Sequence, residues 1–180
     1  LYSLVHDKDS LEIVSKIISF FSVNHTRIQV EKELLIKISD SKASAFESYN
    51  DLDPMTDVFF AIGGDGTVLR ALNYIRGSRI PLIGINTGRL GFLASVQPNQ
   101  VDSILKEIIN KNYTKEERTV LEIKTEPLLP EINEFSFALN EISLGRENTT
   151  SMVTINTEVN GAYLNVYWAD GLVVATPTGS

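Results

Sequence analysis

The sequence predicts an α/β fold: a parallel-sheet domain with helices on its faces, followed by the first strands of a β-rich domain. Three observations carry this reading. Val58 to Ile62 and Ile80 to Ile85 are short apolar runs, as expected of strands buried on both faces. Apolar residues at helical spacing surround them: Leu11, Val14, Ile17, Ile18 and Phe21, then Val68, Leu69, Leu72 and Ile75, then Val101, Ile104, Leu105, Ile108 and Ile109. Past Arg118 the helical period gives way to strand-like runs. Strands alternating with helices argue for a parallel sheet, so the chain divides into an α/β domain over residues 1–117 and a β-rich domain over 118–180.

Taken in order, the first buried strand is ended by Gly63 and Gly64, with a helix expected to begin near Thr67. Pro98 stands near the start of the helix that carries Val101 to Ile109. Glu126 to Glu134 holds two prolines and reads as a loop. Asn160-Gly161 is the preferred pair for a two-residue type I′ turn and predicts a hairpin. An unbroken register would set Val159 opposite Ala162, Thr157 opposite Leu164, Ile155 opposite Val166, and Val153 opposite Trp168. These eight would then form one largely apolar face, in need of a covering layer. Asn140-Glu141 reads as a polar pair within a strand, and Leu172 to Ala175 as an apolar strand followed by Thr176-Pro177-Thr178-Gly179-Ser180. The β-rich region is expected to hold four or five strands with no evident closure, as the front part of a domain would.

Composition narrows the function. Lys plus Arg number 16 against 23 for Asp plus Glu, a net charge of −7, which disfavours nonspecific nucleic-acid binding. No run approaches the roughly 18 apolar residues needed to span a membrane, and no signal peptide is visible. Cysteine is absent, which excludes disulfides and thiolate metal sites and fits a cytoplasmic protein. His6 and His25 stand in the polar N-terminal third and read as surface residues rather than ligands.

The strongest chemical signal is Gly63-Gly64-Asp65-Gly66-Thr67, set between a buried strand and a helix. Glycines let backbone N–H groups approach phosphate oxygens, and the helix start adds its positive dipole end. Asp65 places a carboxylate beside those phosphates, able to accept a proton or to hold Mg²⁺. A plainer reading has Asp65 or Thr67 only capping the helix. The pentapeptide resembles the nucleotide site shared by NAD kinases, diacylglycerol and sphingosine kinases, and 6-phosphofructokinases.

Three further segments narrow the resemblance. Asn86-Thr87-Gly88-Arg89-Leu90-Gly91-Phe92-Leu93, Asn140-Glu141, and Asp170 through Ser180 are similar, in order, to segments of NAD kinases. The chain resembles the N-terminal two-thirds of that family, with a Rossmann-like first domain and an incomplete NAD-binding second domain. The first strand of the sheet would then lie ahead of Leu1, and the closing strands beyond Ser180. A piece of that extent is expected to be catalytically incompetent.

The resemblance implies transfer of the γ-phosphoryl of ATP, or of a polyphosphate, to the 2′-hydroxyl of the adenosine ribose of NAD. Asp65 would take or orient the hydroxyl proton, and an asparagine there is expected to stop turnover while sparing NAD binding. Gly63, Gly64, Gly66, Thr67 and Leu69 are assigned to the nucleotide. Phe92 would pack on adenine, Asn140 and Glu141 would hold adenosine with Thr178 nearby, and Asp170 would reach the nicotinamide, often from a neighbouring subunit. Mg²⁺ or another divalent cation is implied, with no ligand set legible, and so is a homo-oligomer, dimer or tetramer. Two alternatives stay open: a lipid kinase sharing the Gly-Gly-Asp-Gly-Thr site, and a nucleotide-binding homologue without catalysis.

Overall fold

The computed structural model describes residues 1–88, 91–130, 132, 135–147 and 151–179. The chain forms two compact units, Leu1–Glu116 and Glu117–Ser180. No helix among the described residues is long and apolar enough to cross a membrane.

The first unit is built on β4 (Phe59–Ile62), the middle strand of a parallel three-stranded sheet in the order β1 (Tyr2–Ser3), β4, β5 (Leu82–Ile85). All four residues of β4 are buried, because its alternating side chains enter two separate cores. Phe60 and Ile62 pack into the cluster made by Val14, Ile17, Ile18 and Phe21 of α1 (Lys8–Val23) with Val101 and Leu105 of α4 (Val101–Ile109). Phe59 meets Phe46 at 5.7 Å and stacks on Tyr74 at 6.2 Å between ring centroids. Tyr74 belongs to α3 (Asp65–Ile75), which follows β4 directly. A strand with apolar neighbours on both sides has no solvent face, so its sequence is continuously apolar rather than alternating.

Several elements carried no signal long enough to read. At two residues β1 is too short for periodicity, yet it pairs parallel with β4, so the sheet has a strand between Leu1 and α1 rather than only the one expected ahead of Leu1. Beyond it, β2 (Gln29–Glu31) and β3 (Ser44–Phe46) pair in parallel around α2 (Lys32–Ile38), and the Glu31 N–H donates to the Leu1 carbonyl at 2.9 Å. The helix after the glycines begins at Asp65 with Gly64 as its N-cap, two residues earlier than expected near Thr67. Neither Asp65 nor Thr67 is the cap, because the chain enters the helix from an extended Gly64.

The second unit holds six strands among its described residues, more than the four or five expected, in three antiparallel pairs. These are β6 (Leu121–Glu122) with β7 (Phe137–Ala138), β8 (Glu141–Gly145) with β11 (Gly171–Ala175), and β9 (Val153–Val159) with β10 (Ala162–Ala169). Of the loop expected over Glu126 to Glu134, residues Glu131, Asn133 and Glu134 lie outside the described residues.

The hairpin departs from its expected register. Asn160 and Gly161 have φ of 54° and 77°, as a type I′ turn requires, and Val159 faces Ala162. Leu164 is then an extra residue: Tyr163 pairs with Glu158 and Asn165 with Thr157. Ile155 therefore faces Tyr167 rather than Val166, and Val153 faces Ala169 rather than Trp168. One extra residue exchanges the two faces of a strand. Ile155 is buried with Tyr167 and Ala169 half-buried, whereas Trp168 is 75% exposed beside Thr154. The single apolar face read from the sequence does not exist.

Ile17 is fully buried between α1 and the sheet. Ile17→Ala is expected to lower the unfolding free energy by about 2–5 kcal/mol in a denaturant titration.

Candidate functional site

The glycine loop follows the C-terminal end of β4, where parallel α/β sheets present their ligand sites. Gly63 has φ of 149°, and a Cβ there would lie 2.3 Å from Thr67 Oγ1. Thr67 is buried under the loop and shapes it from below, so its side chain does not face the solvent side. Gly64 and Gly66 are exposed, and a Cβ on either would meet nothing within 4 Å, which leaves the first turn of α3 open to approach. Leu69 is half-buried one turn further along.

Asp65 is the most constrained group in this region. Its Oδ1 accepts the N–H groups of Leu93 at 3.0 Å and Ala94 at 2.9 Å, and its Oδ2 accepts that of Phe92 at 2.9 Å. Burial pushes the carboxyl pKa up, but the bonds from Ala94, Phe92 and Leu93 together outweigh it and hold the group below the usual carboxylate range. A carboxylate offers about four acceptor positions. Both on Oδ1 are taken, and one on Oδ2 remains for a hydroxyl donor. Asp65 thus ties the start of α3 to the turn carrying Phe92, whose side chain is 97% exposed. Asn86 holds the other side of that turn: its Nδ2 donates to the Ala94 carbonyl at 3.3 Å and its backbone N–H to Val96 at 2.7 Å. Within the segment that runs from Asn86 to Leu93, Arg89 and Leu90 lie outside the described residues.

In the second unit, Asn140 and Glu141 stand at the break between β7 and β8 rather than within one strand. Pairing of Glu141 with Ala175 brings the residues after β11 alongside them. The Thr176 N–H donates to the Asn140 carbonyl at 2.8 Å, and the buried Thr176 hydroxyl donates to the Leu139 carbonyl and accepts the Thr178 N–H at 3.1 Å. A Cβ at position 179 would lie 2.5 Å from the Asn140 carbonyl oxygen and 2.6 Å from Glu141 Oε2, so the loop sits directly on the pair. The Arg118 guanidinium donates to the Thr178 hydroxyl at 3.4 Å. Asn140 Oδ1 is buried with no hydrogen-bond partner among the described residues.

Asn140, Glu141 and Thr178 therefore gather at one end of the β8–β11 ladder. Asp170 is just past the other, about 17 Å from the Glu141–Ala175 pair along the strands at roughly 3.4 Å per residue. There its carboxylate is ion-paired with Arg146 at 3.1 Å. A cavity of about 310 Å³ lies elsewhere, lined by Phe21, Val58, Phe59 and Ile108 among others, at the start of β4 rather than its end. It holds none of the residues singled out for chemistry.

The ATP-NAD kinase N-terminal domain matches residues 7–113, and the ATP-NAD kinase C-terminal domain matches residues 139–180. The chain belongs to the NAD kinase family. An NAD kinase of Flavobacterium johnsoniae is 42% identical over 185 aligned positions, which take in 100% of this chain and 63% of that protein. An NAD kinase of Bacteroides fragilis is 43% identical over 139 positions, 77% of this chain and 47% of its own length. The chain thus spans less than two-thirds of the length of the relatives it matches. The crystal structure of yeast NADH kinase complexed with NADH has a TM-score of 0.78 over 99% of this chain and 57% of its own, at 23% identity, which shows a shared fold.

Among the described residues of this NAD kinase family member, no group of three or more His, Cys, Asp or Glu could hold a metal ion. Mg²⁺ bound through nucleotide phosphates needs only one or two carboxylates and keeps several waters; the one open position on Asp65 Oδ2 would serve either such an ion or a hydroxyl donor, not both at once. Sequence reasoning missed Thr176, Arg118 and Arg146 as partners of the candidate residues. Thr176 meets Leu139 and Asn140 because β8 pairs with β11, Arg146 meets Asp170 across the same ladder, and Arg118 reaches Thr178 across 60 residues of sequence, so none of these contacts leaves a mark at short range.

Thr176→Val removes one acceptor and one donor from the loop. It is expected to destabilise the protein by about 1–3 kcal/mol, since the buried Leu139 carbonyl loses its partner, and to speed hydrogen exchange at the Thr178 amide.

Proposed function

We propose that the full-length protein is an NAD kinase that transfers the γ-phosphoryl of ATP to the 2′-hydroxyl of the adenosine ribose of NAD. The observation that carries this reading is the buried Asn140 Oδ1, without a partner among the described residues, on the residue that precedes Glu141. A buried amide oxygen is costly unless it meets a donor, and the exocyclic amine of adenine supplies one. Glu141 is suited to ribose hydroxyls for the same reason. A diacylglycerol offers no nitrogen donor, so the pair favours the nucleotide acceptor over that lipid.

In this reading residues 1–117 bind the phosphates and 118–180 form an incomplete NAD-binding domain. The backbone at Gly63, Gly64 and Gly66 faces phosphate oxygens, with Thr67 supporting from below and Leu69 nearby on α3. Asp65 accepts the hydroxyl proton at the open position of Oδ2, while Oδ1 stays committed to Leu93 and Ala94. Phe92 packs on adenine, Thr178 adjoins the adenosine, and Asp170 reaches the nicotinamide end. A bound divalent cation, Mg²⁺, supplies charge neutralisation on the phosphates. The resemblance to the family further supports a homo-oligomeric, cytoplasmic enzyme.

Incubation of the full-length protein with ATP and Mg²⁺ is expected to convert NAD to NADP and to leave diacylglycerol untouched. Lipid phosphorylation, or NAD binding without turnover, would overturn the proposal. Asp65→Asn is expected to lower kcat by about 10²–10⁴-fold, the usual loss for a general base; retention of half the wild-type kcat would remove Asp65 from the chemistry. Asn140→Ala and Glu141→Ala are each expected to weaken NAD binding by roughly 1–3 kcal/mol, read by calorimetry. Unchanged affinity with slower chemistry would refute their assignment to adenosine.

A further inference from the structure

We propose that Asp65 has a second task, which Gly91 makes possible: its carboxylate fixes the turn that carries Phe92, so one side chain sets both the proton acceptor and the aromatic ring. The inference rests on the reading of Phe92 as the residue that packs on adenine.

The geometry gives Phe92 little other support. Its side chain is 97% exposed, so the position of the ring is governed by its backbone. The Phe92 N–H donates to Asp65 Oδ2, and the next two amides donate to Oδ1. Three consecutive N–H groups converging on one ionised acceptor leave the turn little freedom, and bonds to a charged group are stronger than those between neutral partners. The arrangement is possible only because residue 91 has no side chain. A Cβ there would lie 2.1 Å from Oδ1, 2.5 Å from Cγ and 2.7 Å from Oδ2. All three nearest atoms belong to the Asp65 carboxyl group, which its three bonds hold in place. An alanine at 91 must therefore displace the carboxylate, the turn, or both.

An asparagine at 65 has only one acceptor oxygen, and its amide group would face backbone donors. It is no longer expected to spare NAD binding, because Phe92 loses its anchor.

A double-mutant cycle in the full-length protein tests the proposal, with NAD dissociation constants measured for wild type, Asp65→Asn, Phe92→Ala and the double variant. Asp65→Asn is expected to weaken NAD binding about fivefold or more in the wild-type background and less than about twofold in the Phe92→Ala background, since contacting groups couple and independent ones add. Hydrogen exchange at the Phe92, Leu93 and Ala94 amides is expected to speed at least about tenfold in Asp65→Asn and in Gly91→Ala, with the amides of α1 unchanged. Should Asp65→Asn fail to fold, Gly91→Ala takes its place in the cycle with the same expected coupling. Equal losses in both backgrounds, or unchanged exchange at the three amides, would overturn the proposal alone. An unchanged dissociation constant in Phe92→Ala would instead overturn the adenine assignment, and the proposal with it.

Discussion

The carboxylate of Asp65 and the three backbone N–H groups of Phe92, Leu93 and Ala94 satisfy one another, and the local structure around the glycine loop depends on that exchange. Each side needs the other. A partly buried carboxylate is steadied by donors, and a turn outside any helix or strand must find acceptors for its amides. The bond set also lies at the first turn of α3, where the helix dipole favours negative charge. From this follow the bare Cα at position 91 and a carboxyl pKa held below the usual carboxylate range. The burial of Thr67 against Gly63 completes the frame from below.

That arrangement changes how the aspartate of a Gly-Gly-Asp-Gly-Thr loop is to be understood. Read as a base alone, it would need only to face the substrate. Here it is also a structural acceptor, with one position of Oδ2 left over. A pKa held below the usual carboxylate range makes the group a weaker base but a dependable anion.

The second unit depends on a different constraint, the register of β8 with β11. Pairing of Glu141 with Ala175 fixes which residues follow into contact with Asn140, and the Thr176 hydroxyl ties Leu139 to Thr178. The same register carries Asp170 to the opposite end, beside Arg146. An ion pair whose carboxylate is exposed contributes little to stability, so its interest is positional.

The sequence by itself determined the α/β class, the strand buried on both faces at Phe59–Ile62, the helices α1, α3 and α4, and the identity of the residues that carry the family resemblance. These are local matters: apolar period, composition and short motifs are written within a few residues. What only the tertiary structure decided lies in contacts between distant segments. The two-residue β1 has meaning only beside β4, and Gly91 is needed only because Asp65 crosses 26 positions of chain to lie against it. The hairpin shows the limit most plainly. Its turn was legible in Asn160-Gly161, but the extra residue at Leu164 was not, because both registers bury apolar side chains and an alternating pattern cannot choose between them. The observed register sets the buried Ile155 opposite the half-buried Tyr167, and burial is a property of the folded chain.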